Sequence, residues 1–248
     1  MMDNVRDVFL WLIFPYICLT IFVLGHIWRY RYDKFGWTSR SSQMYESRIL
    51  RWANPMFHFG ILAVFLGHVM GLGIPESWTE AVGISENIYH FMAVTVGIVA
   101  GVFTLVGLAG LLYRRRFTKA VMGATTRMDK LMYLMLTLVI LGGLVNTGSG
   151  VVGEYNYRGG VSVWFRGIFF FDPQPELMAH APFSFQFHAL AAISLFAIWP
   201  FTRLVHVFTA PLGYLFRPYI IYRSRDAHEG SRERRRGWDK VDTIPRRR

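Results

Sequence analysis

The chain has 248 residues, 53% of them hydrophobic and 17% aromatic, with 27 Lys and Arg against 16 Asp and Glu and a formal net charge of +11. A soluble domain would spread its apolar residues at a helical or strand period. Here they fall in uncharged blocks of about 20, the length a helix needs to cross about 30 Å of hydrocarbon, which argues against a soluble fold.

The blocks cover residues 9–28, 53–73, 88–112, 131–148 and 184–202. The first is too long for a signal-peptide core, is followed rather than preceded by positive charge, and has no small-residue cleavage site. It contains Cys18, the only cysteine. One thiol cannot hold an iron–sulfur cluster, which takes about four cysteine ligands, so any such cluster belongs to another chain.

Lys and Arg alternate across the blocks. One precedes the first, six follow it, none lies between the second and third, six follow the third, two lie between the fourth and fifth, and twelve run from Arg203 onward. That puts 24 on one side and 3 on the other. By the positive-inside tendency the N-terminus is outside and the C-terminus cytoplasmic. The expected fold is an all-α membrane protein, a bundle of five transmembrane helices. Residues 1–215 form the transmembrane domain and 216–248 a basic cytoplasmic tail. Because the basic residues flank spans, topology accounts for them and nucleic acid is set aside; "SRERRRGWDK" and "IPRRR" form a solvated or partner-bound tail, with attraction to anionic membrane lipid as the alternative.

The connections differ in character. Residues 29–52 are basic and aromatic, suited to the cytoplasmic headgroups and to a soluble partner, whereas 74–87 carry three Glu and no base. Residues 149–183 include "VWFRGIFFF", too short to cross. It reads either as a flap at the outer leaflet or as a simple packing helix. Gly67 and Gly71 have the spacing of a close-packing seam.

Four histidines lie in or near the second and fifth blocks: His58 and His68, His188 and His206. A single intramembrane His is often a hydrogen-bonded packing residue, but ionisable groups in hydrocarbon usually face the bundle interior for a reason. Their spacing gives about 15 Å of rise from His58 to His68 and about 27 Å from His188 to His206. The two spans run in opposite directions, so His58 stands level with His206 and His68 with His188. The separations do not match. Tilted haems, tilted helices or a kink at Pro200 would each absorb the difference. Zinc generally takes four ligands and each pair offers two. Haem needs only axial ligands, and the missing CxxCH makes attachment non-covalent, as in b-type haems. Two haem b groups between the second and fifth helices follow, surrounded by Phe57, Phe59, Gly60, Gly67 and Phe187.

"FHFGILAVFLGHVMG", "FQFHALAAISLFAIWPFTRLVHVFT" and "WRYRYDKFGWTSRSSQM" together resemble the gamma subunit of respiratory membrane-bound nitrate reductase, over residues 10–215 and all five spans. The resemblance implies a multi-pass protein of a bacterial or archaeal cytoplasmic membrane. It assigns His68 and His188 to a distal haem near the outer face and His58 and His206 to a proximal haem near the cytoplasm. It implies that quinol (menaquinol or ubiquinol) is oxidised near the distal haem. Electrons would pass through the proximal haem to an iron–sulfur beta subunit and a molybdenum-containing alpha subunit that reduces nitrate.

One departure concerns the quinol. The family pattern has a Lys at the outer start of the third span, where this sequence reads "ENIYHFM". Tyr89 and His90 then become the quinol-site candidates, His90 as the base, apt near neutral pH; an interfacial His without a role is the alternative. Arg203, one turn before His206, is a candidate for a haem propionate, with snorkelling into the headgroups as the alternative. His26 needs only interfacial hydrogen bonding, His180 either approaches the distal haem or lines the flap, and His228 has no assigned role. Two other functions remain open: a dihaem anchor of a sulfur- or heterodisulfide-linked complex, and a haem-free transporter or anchor whose histidines relay protons.

Overall fold

The computed structural model describes residues 2–38, 40–151, 155–209 and Phe216. The basic tail and His228 lie outside the described residues. Those that are described form helices joined by short connections, with no strand among them. Five helices are long and apolar enough to cross a membrane: Val5–Tyr32, Leu50–Gly73, Glu86–Phe117, Arg127–Ser149 and Phe183–Phe201. Each extends an expected block by up to five residues at an end, because polar residues that cannot sit in hydrocarbon continue the helix into the headgroup zone. Within the most apolar stretch of each, only 11–28% of residues are buried, as suits helices solvated by lipid.

The packing order is second, third, fourth, fifth, first. Glycine sets the tightest of these contacts, between the second and third spans. A Cβ on Gly107 would lie 2.4 Å from the Phe57 backbone nitrogen, and one on Gly60 would lie 2.7 Å from the Thr104 nitrogen. Backbones that approach this closely gain dispersion contacts which lipid does not compete away. The expected Gly67–Gly71 seam is not used in this way. Gly67 has no neighbour within 4 Å, and Gly71 faces the Tyr157 hydroxyl. Gly60, expected beside a haem, takes part in the helix seam against Thr104.

The second and fifth spans are not among the pairs that pack extensively against one another. The fifth packs on the fourth around Met132, Leu136, Leu195 and Leu204, while the second packs chiefly on the third.

The connection after the fourth span carries the helix Val161–Phe170. Its Trp164 is 2% exposed, meets Trp11 edge-on at 5.8 Å and donates its indole N–H to Trp11 O at 2.7 Å. This face is a packing helix. Phe169, Phe170 and Phe171, at its end, are exposed. Arg166 ties the helix to the second span by donating to Leu72 O.

Buried arginines fasten the span ends. Arg114 donates to the Ser42 hydroxyl and carbonyl, the Glu46 carbonyl and the Glu46 carboxylate, the last at 2.7 Å. Burial opposes the Glu46 charge, but the Ile49 and Leu50 amides and the Arg114 guanidinium outweigh it and hold its carboxyl below the usual range. Arg29 donates to Pro200 O, Thr202 O and Gly36 O. A guanidinium with several donors committed to carbonyls avoids the penalty of an unpaired buried charge.

Replacing Gly107 with Ala drives a methyl into the Phe57 backbone and is expected to destabilise the bundle by about 1–3 kcal/mol, the usual range for overpacking. Thermal unfolding in detergent reads this as a lowered midpoint. Gly123→Ala, at a position with open space around it, should leave the midpoint unchanged.

Candidate functional site

His58 and His68 stand on one α-helix and His188 on another, while His206 lies in the 3-10 segment Arg203–Thr209. The structure brings them together in the two expected pairs. The His58 and His206 ring centroids are 6.0 Å apart, and those of His68 and His188 are also 6.0 Å apart. The first pair lies at the basic end of the bundle, the second at the opposite end.

The mismatch in helical rise is resolved by a break in the fifth helix. The α-helix stops at Ile198, and Trp199–Phe201 is a 3-10 turn. Pro200 has no N–H to continue the ladder. Thr202 is extended (φ −111°, ψ 179°), and the chain resumes as a 3-10 turn through His206. Of the three ways left open to absorb the difference, the structure shows the break at Pro200.

Three of the four rings share one hydrogen-bonding device. Nδ1 of His58 bonds to Asn54 O at 2.8 Å, Nδ1 of His68 to Val64 O at 2.8 Å, and Nδ1 of His206 to Arg203 O at 2.6 Å. A carbonyl only accepts, so Nδ1 carries the proton in each and Nε2 is left with a free lone pair. The fourth, His188, turns Nδ1 toward the fourth span, where Gly142 and Gly143 leave room for its ring. A Cβ on Gly143 would come within 3.1 Å of its Cε1.

These pairs suit haem b. Two imidazoles bound end-on to one metal at about 2 Å each have ring centres roughly 6 Å apart, the separation found in both. No group of three His, Cys, Asp or Glu converges among the described residues, so a metal held here would need its other ligands from a porphyrin. His58 and His68 are exposed on the second span, which faces the fifth without packing on it, and a flat apolar disc would cover them. Phe59 and Phe187 are also exposed, whereas Phe57 packs toward Met132 and Leu136.

Arg203 lies beside the proximal pair, where Nε and Nη2 bind the two carboxylate oxygens of Asp129 at 2.7 and 2.6 Å. At the opposite end, Tyr89 and Tyr157 converge over Gly71, three residues past His68. A Cβ on Gly71 would sit 3.0 Å from the Tyr157 hydroxyl and 3.3 Å from that of Tyr89. The Arg158 guanidinium lies 3.9 Å from the Tyr89 ring centroid. It pairs with Glu86 at 2.7 Å and donates to Thr79 at 3.0 Å. Burial, with the Tyr89 phenol beside it, pushes the Tyr157 hydroxyl well above its ordinary range, so it stays a neutral phenol. His90 lies beside Gly150 at the end of the fourth span.

Of the remaining histidines, His26 bonds Phe22 O and packs among Phe22, Trp37 and Phe208. His180 bonds Glu176 O and is exposed. The sequence reading missed Tyr157, Arg158 and Asp129 as members of these sites. Tyr157 and Arg158 stand in an irregular connection that gives no periodic signal. Asp129 had one, since Thr126 followed three residues later by an acid is a capping pattern.

Comparison with known proteins shows a match to the family described as nitrate reductase gamma subunit, over residues 7–225. The chain is 60% identical over 239 residues to the nitrate reductase-like protein NarX of Mycobacterium tuberculosis, covering 95% of this chain and 36% of that one. It thus spans about a third of that relative's length. It is 45% identical over 217 residues to the nitrate reductase gamma chain of Bacillus subtilis, covering 87% of this chain and 97% of that one. To the respiratory nitrate reductase 2 gamma chain of Escherichia coli it is 37% identical over 226 residues, covering 88% and 97%.

Gly143→Leu is expected to push the His188 ring out of place and lower bound haem from two per chain to one, measured by pyridine haemochrome against protein. Gly148→Leu, with no neighbour within 4 Å, should keep both.

Proposed function

Because the chain belongs to the nitrate reductase gamma subunit family and is a multi-pass bacterial membrane protein, we propose that it is the quinol-oxidising dihaem cytochrome b subunit of a nitrate reductase. It anchors an iron–sulfur beta subunit and a molybdenum-containing alpha subunit on the cytoplasmic side. The observation that carries this reading is the two facing histidine pairs, one at each end of spans that do not pack extensively on each other.

His68 and His188 would hold the distal haem b, His58 and His206 the proximal one. Bound there, the two haems supply one-electron transfer between the quinol end and the partner end. The protein's own part is to orient the rings. Each Nδ1–H bonded to a main-chain carbonyl fixes the tautomer and raises the basicity of Nε2. Two histidines holding each haem would leave no place on the metal for substrate, which suits electron transfer.

Quinol oxidation releases protons, and the opposite end has groups that can take them. His90 accepts a quinol proton. Tyr89 positions the quinol hydroxyl, its ring held against Arg158, which is itself paired with Glu86. Placing the basic end in the cytoplasm puts this proton release outside and the electrons inside, which stores energy as membrane potential. Arg203 is the propionate residue of the proximal haem. The aromatic loop before the second span, with Phe35, Met44 and Tyr45 exposed, offers the partner an anchor at the end where electrons leave.

Replacing each of the four ligands by Ala in turn tests the pairing. His58 and His206 variants should lose one and the same haem, and His68 and His188 variants the other. Loss of different haems from His68→Ala and His188→Ala would sink the reading. Quinol oxidation should fall about 10²–10⁴-fold in His90→Ala, the usual contribution of a positioned general base. Steady-state kinetics with a water-soluble quinol analogue checks this, and unchanged kinetics removes His90 from the site.

A further inference from the structure

Of the four paired histidines, His206 is the one that no α-helix holds. Its chain has just passed through the extended residue Thr202 and runs on as a 3-10 turn. Its ring is therefore held by a 3-10 turn rather than by an α-helix. Nδ1 bonds instead to the carbonyl three residues back, Arg203 O, at 2.6 Å. Wherever Arg203 stands, the imidazole follows.

Arg203 is fixed from the fourth span. Its guanidinium meets both carboxylate oxygens of Asp129 in a fork, with the two side chains 10% and 3% exposed. Such planar two-point pairs define orientation as well as distance. Asp129 cannot drift either. Its Oδ2 accepts the Thr126 N–H at 2.9 Å while its own N–H donates to Thr126 Oγ1 at 3.1 Å, the reciprocal cap that starts the fourth helix. On the other side of the bend, Arg29 from the first span grips the carbonyls of Pro200 and Thr202. The non-helical stretch that carries His206 is thus bracketed by two buried arginines, and only the bracket through Arg203 ends on a carboxylate of another span.

We infer that Asp129 is a positioning residue for the proximal haem site: through Arg203 it sets the place and orientation of the His206 imidazole, and so the axial geometry and redox potential of the iron held between His58 and His206. The inference rests on the dihaem reading above and goes beyond it, since it concerns a residue that touches neither ligand. The carboxylate also balances the Arg203 charge. Removing one negative charge makes the surroundings of the site more positive, which favours the reduced iron, so the potential should move upward.

The test uses the assembled membrane complex and the Asp129→Asn, Asp129→Glu and Thr126→Ala variants. Redox titration followed by visible absorbance, with low-temperature electron paramagnetic resonance of the oxidised state, reads each haem separately. The haem lost in His206→Ala is taken as proximal. Asp129→Asn should raise the midpoint of that haem and shift its low-spin resonance, while the distal haem keeps both values. Asp129→Glu, which retains the charge and can still reach the guanidinium, should recover most of the change. Thr126→Ala removes only the Oγ1 acceptor of the cap, while the main-chain N–H to Asp129 Oδ2 and the fork to Arg203 stay, so both haems should remain as they are.

Three results would overturn the inference. One is an unchanged proximal haem in Asp129→Asn. Another is an equal shift or loss of both haems, which marks a purely structural ion pair. The third is a Thr126→Ala variant that reproduces the proximal shift, because the effect then belongs to the helix start. Should Asp129→Asn fail to assemble, Asp129→Ser, which also removes the carboxylate, takes its place: a proximal change with the distal haem untouched supports the positioning role, and no change refutes it. Wild-type protein without porphyrin would instead refute the dihaem reading, so the two failures are told apart.

Discussion

An imidazole in hydrocarbon must place both of its nitrogens, and water is not there to help with either. In this protein the helix backbone takes one of them: Asn54, Val64 and Arg203 each offer a carbonyl to Nδ1. The other nitrogen then carries a lone pair aimed away from its own chain. The rest of the bundle is arranged so that each such lone pair has a second imidazole opposite, at the separation a single metal would require. Helices that packed directly would close that space. The third span is drawn to the second by glycine contacts and the fourth to the fifth by Leu and Met packing.

The charged residues follow a related logic. In a bilayer only the span ends can hold them, and there the buried guanidiniums are met by carbonyls, hydroxyls or carboxylates from segments far away in sequence. Arg114 reaches Ser42 and Glu46, Arg158 reaches Glu86 and Thr79, Arg29 reaches Pro200 and Thr202, and Arg203 reaches Asp129. Lipid offers no hydrophobic drive to hold helices in register, so these polar ties at the two ends, with the glycine seams between them, define how the spans sit. Both histidine pairs lie close to such ties. The histidine pairs and the structural anchors are built from overlapping residues.

The sequence made the five spans legible because length and lack of charge are one-dimensional properties, and the structure moved their ends by only a few residues. The histidine pairs were legible for a similar reason: chain direction and helical rise assign which ring stands level with which. Glycine was less so. The Gly67–Gly71 spacing is the usual sign of a close seam, yet Gly60 and Gly107 form it here, since a small residue is useful only where another backbone approaches. The quinol-end candidates were partly legible. Tyr89 was named from its place at the start of the third span, but Tyr157 and Arg158, which stand beside it, come from an irregular connection whose path no period predicts.

What the sequence determined alone was the number of spans, the side that carries the charge and the identity of the four histidines, all set by local composition and fixed helical dimensions. The tertiary structure decided how an unequal pair of separations, about 15 and 27 Å along ideal helices, closes on two rings at once. The answer is the turn at Thr202, held by Arg29 from the first span and by Asp129 through Arg203. Those partners lie 173 and 74 residues from the groups they bind, and contacts at such range exist only once the helices have assembled.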